Sequence, residues 1–250
     1  MSTTTGNAAK GPSIVNPGRF AALAERWVPW LAGATAFTMA AGLYFALWAS
    51  PEDYQQGATV RIMYVHVPAA YMALFAYLVM TSAALGTLVF RHPLADVAAK
   101  TAAPIGAVFT AVALATGAIW GKPMWGAYWV WDARLTSMLV LLLMYLGLIA
   151  LWQAVDEPAR AARVTAIAIL VGVINIPIIK FSVDWWNTLH QGASVLRLDG
   201  PTIHPSMLTP LFIMVVAFML FFATVHLVAM RAELMRRRAR GLRLRLMRAA

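Results

Sequence analysis

The chain has 250 residues, of which 61% are hydrophobic and 12% are charged, and its mean hydropathy is +0.70. A soluble domain of this size would carry about twice that fraction of charge, so this composition predicts a membrane protein. The absence of cysteine excludes disulfides, thiolate metal sites and thiol redox chemistry. Phosphate-binding, dinucleotide-binding and hydrolase motifs are also absent from the sequence.

Six apolar segments follow one another along the chain, each near the roughly 20 helical residues that cross ~30 Å of hydrocarbon. They cover residues 28–49, 67–90, 101–120, 135–153, 164–179 and 208–230. We predict an all-α integral membrane protein with six transmembrane helices, forming a single domain over residues 1–250. The fifth segment is the weakest, because Asn175 and Pro177 loosen the helical ladder and leave carbonyl groups for neighbouring helices to satisfy.

The basic residues are distributed unequally between the two ends of these spans. Fifteen lie in the two tails and in the loops after the second and fourth spans, whereas five lie on the opposite side. The positive-inside tendency predicts that both tails, residues 1–26 and 231–250, are cytoplasmic. The arginine-rich segment directly after the last span favours contact with anionic lipid or a cytoplasmic partner, and not with nucleic acid.

One loop on the outward side is very rich in aromatic residues. Its sequence is WGKPMWGAYWVWDAR, residues 120–134. The rings and the two charged side chains next to them are Trp120, Trp125, Tyr128, Trp129, Trp131, Asp132 and Arg134. Trp and Tyr collect at membrane interfaces, but five rings within twelve residues exceed what an interfacial belt requires. Large flat rings beside an acid and a base suit a flat apolar ligand with charged substituents, such as a porphyrin.

Two histidines are expected on the same side as this loop. His66 lies at the outer mouth of the second span, and His190 follows Trp185 and Trp186 in the last outer loop. An imidazole in such apolar company must be paired, and either histidine alone could be structural. Together they could supply both axial ligands of a porphyrin iron. His204, in the same outer loop, is expected to be either a helix cap or a weak ligand.

The charged residues of the loop leave two interpretations open. Arg134, with Arg61 and Arg197 as lesser candidates, could pair with the propionates of a porphyrin through charge-assisted hydrogen bonds. Arg134 could equally extend from the start of the fourth span to the interface. Asp132 is expected to orient Arg134 or an indole N–H.

Residues 125–136, WGAYWVWDARLT, resemble the tryptophan-rich signature of the heme-handling proteins of cytochrome c biogenesis. His66 and His190 stand at the positions of the two outer histidines of that family. The segment FSVDWWNTLHQG, residues 181–192, is similar as well, and the resemblance covers almost the whole chain. Length and six spans are similar to the smaller, heme-exporting members and not to the larger lyase-type ones. Tyr128 stands where the family often has another Trp.

The resemblance implies that heme b is held transiently between His66 and His190, against the aromatic loop, at the periplasmic face of the bacterial inner membrane. It implies delivery to a membrane-anchored heme chaperone, with a small single-span subunit and an ATP-binding cassette ATPase with its membrane subunit as further partners. Two other functions stay open at this point. A membrane electron-transfer cytochrome would also use two histidines, and a heme lyase would need a large outer domain that this chain does not show.

Overall fold

The structure is a computed structural model that describes residues 16–190, 192, 194–195 and 197–249. The described part is helical, with one isolated bridge between Asp53 and Gly57. The helices are α1 (Pro17–Tyr44), α2 (Met63–Leu88), α3 (Ala95–Trp125), α4 (Ala133–Ala154), α5 (Pro158–Gly172), α6 (Asn175–Trp185) and α7 (Pro205–Ala249). A π-helical turn, Phe45–Ala49, extends α1, and a 3-10 turn, Ala58–Ile62, leads into α2.

Six helical segments are long and apolar enough to cross a membrane, which confirms the predicted number of spans. They are Pro17–Ala49, Ala58–Leu88, Ala95–Trp125, Ala133–Ala154, Pro158–Trp185 and Pro205–Ala249. The first helix begins eleven residues before the predicted apolar segment, because Asn16 caps it by accepting a hydrogen bond from the Gly18 N–H at 2.8 Å. Residues 231–249, predicted as a tail, continue α7 as helix.

The fifth span is broken, at the place where the sequence predicts weakness. Pro177 has no N–H for the carbonyl of Val173, and the Ile176 N–H donates to that oxygen instead, at 3.0 Å. The Asn175 side chain donates to the Ser137 carbonyl of α4, also at 3.0 Å. The first half of the span, α5, packs against both α2 and α4, whereas the second half, α6, packs against α4. The break therefore separates α6 from α2.

Helices α2 and α3 form the most extensive helix pair of the bundle. Their buried residues include many small ones: Ala69, Ala73, Ala76 and Ala84 on α2, and Ala99, Ala102, Ala103, Gly106, Ala113 and Gly117 on α3. Small side chains let two helix backbones approach closely within a bilayer, where burial of apolar surface alone gives little driving force. Two glycines also admit tyrosine rings: a β-carbon would lie 2.4 Å or less from Tyr145 at Gly106 and 2.2 Å from the Tyr77 hydroxyl at Gly172.

Ion pairs connect three helices at the end of the bundle that carries the arginine-rich segment. Glu233 of α7 is buried and accepts from Lys100 of α3 at 2.8 Å, and Arg237 contacts Asp96 at 2.7 Å. Arg231 pairs with Glu25 of α1 at 3.0 Å. Residues 231–237 are thus packed against the bundle, and the helix continues beyond them.

The predicted sidedness can be tested in this cysteine-free chain with single cysteines. Asp156 and Asn187 are exposed and lie at opposite ends of the fifth span. We expect an impermeant thiol reagent to label Asn187→Cys in intact cells, and Asp156→Cys only after the inner membrane is opened. The reverse pattern would contradict the orientation predicted from the basic residues.

Candidate functional site

A cavity of about 1190 Å³ lies at the end of the bundle that carries the aromatic loop. Its walls come from α2, α3, α4 and α6. Its rim consists of residues 51–56 and of Leu189, His190, Gly192, Ser194, Val195, Thr202, Ile203, His204, Ser206 and Met207. Sites for drug-sized ligands usually measure about 300–1,000 Å³, so this cavity has room for a large ligand. Five of the predicted site residues line it: His66, Trp120, Trp125, Arg134 and His190.

His66 is oriented by α3. Its Nδ1 lies 3.0 Å from the Ala113 carbonyl oxygen and 3.1 Å from the Thr116 hydroxyl oxygen. The Thr116 hydroxyl donates its own proton to the Val112 carbonyl at 2.7 Å, so both groups accept from His66. Assigned from this network, the imidazole proton is on Nδ1 and the lone pair is on Nε2. The ring of Trp120 packs edge-on against His66, with ring centroids 5.7 Å apart.

His190 is oriented by Asp132, the residue that caps α4. Nδ1 of His190 lies 3.0 Å from Asp132 Oδ2, while Asp132 Oδ1 accepts from the Leu135 N–H at 2.7 Å. The Thr188 hydroxyl also donates to Asp132, and it accepts from the His190 N–H at 3.1 Å. The Trp125 ring packs edge-on against the imidazole at 4.7 Å between centroids. A carboxylate on Nδ1 is the usual way to fix a metal-binding histidine.

The electrostatics of this pair favour a neutral imidazole on an ionised carboxylate. Burial lowers the pKa of His190 below its usual range, although the hydrogen bond and charge of Asp132 offset part of that effect. Burial alone would raise the pKa of Asp132, but hydrogen bonds from Thr188, the Leu135 N–H and His190 together hold it below its usual range. At neutral pH His190 therefore donates Nδ1–H to Asp132. Its Nε2 has no hydrogen-bond partner among the described residues.

Arg134 is held by α6. Its Nε donates to Ser182 Oγ at 3.0 Å and its Nη2 to the Lys180 carbonyl at 3.3 Å. The sequence predicts that Asp132 orients Arg134 or an indole N–H, but in the structure Asp132 bonds to His190 instead. Of the other two candidate arginines, Arg197 pairs with Asp199 at 2.8 Å, and Arg61 is not among the residues lining the cavity.

The aromatic loop has two faces, and the structure does not bring all of its predicted rings to the cavity. Helix α3 runs on to Trp125 and ends at Gly126, which has a φ of 76° and turns the chain. Beyond that turn, Tyr128 and Trp131 are 61% and 75% exposed, and Trp129 packs edge-on against Trp131. Trp185 and Trp186 are also at least half exposed. None of these five rings lines the cavity.

Several site residues are not apparent from the sequence. Thr116 and Gly117 lie next to the His66 ring, but they belong to an apolar helix whose sequence does not mark them. Gln56 accepts a hydrogen bond from the Trp120 indole at 2.9 Å and so connects the rim to α3. Thr188 lies two residues before His190, and this proximity is the feature of the sequence that indicates it. His204 lines the cavity, but its Nδ1 accepts from the Ser206 N–H at 3.3 Å, as expected of a cap for α7.

Fold and site define a multi-pass membrane protein with three histidines, His66, His190 and His204, lining one cavity. The chain belongs to the heme exporter protein C family, whose model matches residues 12–245. It is similar to heme exporter protein C of Bradyrhizobium diazoefficiens, with 63% identity over 231 residues, or 92% of this chain and 88% of the relative. The proteins of the same name from Escherichia coli K12 and Paracoccus denitrificans are 47% and 44% identical. The alignment with the Escherichia coli protein covers 86% of each chain. The alignment with the Paracoccus denitrificans protein covers 91% of this chain and 94% of the relative.

The two roles of Asp132 can be separated by Asp132→Asn, because the amide oxygen still caps α4 but has no charge for His190. We expect the pKa of His190 to fall further in this variant, since burial and the nearby Arg134 both disfavour the imidazolium once the carboxylate is gone. Histidine NMR titration of the purified protein, assigned with His190→Gln, measures this change. Asp199→Asn, at an exposed carboxylate paired with Arg197, is the control. A higher pKa in Asp132→Asn would contradict the assigned contact.

Proposed function

We propose that this protein binds heme b at the periplasmic face of the bacterial inner membrane and delivers it to a membrane-anchored heme chaperone for cytochrome c maturation. One observation carries the proposal: His66 and His190 line the same cavity, each with Nδ1 held by an acceptor. This arrangement leaves both Nε2 lone pairs for axial bonds to one iron. The family and the names of its members support heme as the cargo.

The cavity suits heme in shape and in chemistry. Its deeper wall is apolar, with Val67, Leu74, Leu114, Met138 and Ile179 among the lining residues. Trp120 and Trp125 stand next to the two histidines and would cover the macrocycle near its iron. At the rim, the Arg134 guanidinium lines the cavity and is positioned by α6 to pair with a propionate.

The location of the site suits transfer of a ligand. His66 lies in the first turn of α2 and His190 in the loop before α7, so both stand at one end of the bundle. A ligand held there can keep an edge open to a docking protein. We therefore expect the chaperone to approach this end. Because this sequence has no nucleotide-binding motif, ATP hydrolysis would be supplied by an ATP-binding cassette ATPase with its membrane subunit. A small single-span subunit would complete the complex.

The two proposed ligands are tested by His66→Ala and His190→Ala. We expect each change to weaken heme retention and cytochrome c maturation while the protein still accumulates in the membrane. Added imidazole should partly restore the single variants, because it can occupy the vacated axial position. Absorption spectra of the purified proteins, with and without the chaperone, measure the effect. Full heme occupancy in the double variant would refute the proposed ligation, and a stable heme that never exchanges would favour an electron-transfer cytochrome.

The two faces of the aromatic loop predict different effects of alanine. Trp125→Ala removes a ring that packs on His190 and lines the cavity, and we expect about tenfold weaker heme binding from the lost apolar contact. Trp131→Ala removes a ring that is 75% exposed and lies outside the cavity, and should leave heme affinity nearly unchanged. Heme titration of both variants provides the comparison. Equal losses would mean that the whole loop contacts the heme, as the sequence predicts.

A further inference from the structure

The ring of His66 occupies a notch in α3. If Gly117 carried a β-carbon, that atom would lie 2.9 Å from Cε1 of His66, 3.4 Å from Nδ1 and 3.9 Å from Nε2. Gly117 is buried in the interior of α3, where glycine costs about 1 kcal/mol relative to alanine. The backbone here is helical and does not itself require glycine. The space for the imidazole is therefore what this glycine provides.

The notch also selects the tautomer of the ring. The Ala113 carbonyl can only accept a hydrogen bond, and the Thr116 hydroxyl gives its single proton to the Val112 carbonyl at 2.7 Å. Both groups lie within 3.1 Å of Nδ1 of His66. Two acceptors on one nitrogen hold the proton there, and the opposite nitrogen keeps its lone pair.

We propose that Thr116 and Gly117 are positioning residues that hold His66 as an iron ligand, Gly117 by fixing where the ring lies and Thr116, together with the Ala113 carbonyl, by holding the proton on Nδ1 so that Nε2 keeps its lone pair. This inference rests on the proposed heme-binding function. It means that the position of the iron is set by α3, although the ligand itself is carried by α2. Outer partners of this kind typically change metal affinity by about 10- to 100-fold when they are removed.

The hydroxyl is tested by Thr116→Val, which keeps the shape of the side chain, and by Thr116→Ser, which keeps the acceptor. Purified protein is titrated with ferric heme, and both affinity and the low-spin spectrum of a six-coordinate iron are recorded. We expect Thr116→Val to bind heme about tenfold more weakly. Thr116→Ser should remain close to the original protein in both measurements.

The notch is tested by Gly117→Ala, with Gly147→Ala as the matched control. Both glycines are inside transmembrane helices, but a β-carbon at Gly147 would meet nothing within 4 Å. We expect Gly117→Ala to lose the low-spin spectrum and to regain it when imidazole is added, because the displaced His66 ring leaves an axial position open. Gly147→Ala should show neither effect. Recovery with imidazole separates a misplaced ligand from a misfolded protein.

His66→Ala, measured in parallel, separates failure of this inference from failure of the proposed function. If His66→Ala alters heme affinity and spectrum while Thr116→Val and Gly117→Ala do not, the proposed ligation stands and the positioning role is wrong. If His66→Ala itself changes neither measurement, the proposed function fails and the positioning role falls with it. Should Gly117→Ala not accumulate, the difference between Thr116→Val and Thr116→Ser decides.

Discussion

A polar backbone group within hydrocarbon needs a partner inside the protein, and this constraint shapes the molecule at the break in the fifth span. Pro177 interrupts the helical ladder, and the Ile176 N–H and the Asn175 side chain make the compensating hydrogen bonds. Asn175 bonds to α4, and α6 packs against α4, while α5 packs against both α2 and α4. Four residues of α6 line the cavity, whereas none of α5 does, so the break separates the half of the span that contributes to the site from the half that does not.

The two histidines depend on helices that do not carry them. His66 is on α2 but is held by Ala113 and Thr116 of α3. His190 is in a loop but is held by Asp132, the N-cap residue of α4. Since α3 and α4 are joined by the aromatic loop, the spacing of the two imidazoles follows from the packing of this consecutive helix pair. The loop is therefore a structural connection between the two helices that hold His66 and His190.

The fold was largely predictable because hydropathy acts locally: each apolar run reports its own span, and the Asn175–Pro177 pair marked the weak one. The partners of the histidines were not predictable in this way. Ala113 is 47 residues from His66, and Asp132 is 58 residues from His190. Contacts at such separations arise from helix packing, which a single sequence does not state. The division of the aromatic loop into two faces depends on the left-handed backbone conformation of Gly126. The sequence WGAYWVWD, residues 125–132, does not show which rings lie on each side of that turn.

The heme site that we propose would have to combine firm binding with exchange. Firm binding needs imidazoles that are held in place, and a hydrogen bond on each Nδ1 provides this without closing the cavity. The proposed exchange requires an accessible edge. Among the described residues, the rim consists of loop residues 51–56, Leu189, His190, Gly192, Ser194, Val195, Thr202, Ile203 and His204, with Ser206 and Met207 at the start of α7. Gln56 accepts a hydrogen bond from the Trp120 indole and so joins the first of these loops to a ring beside His66. The two imidazoles are thus fixed by hydrogen bonds to α3 and to the N-cap of α4, while the rim next to them is formed largely by loop residues.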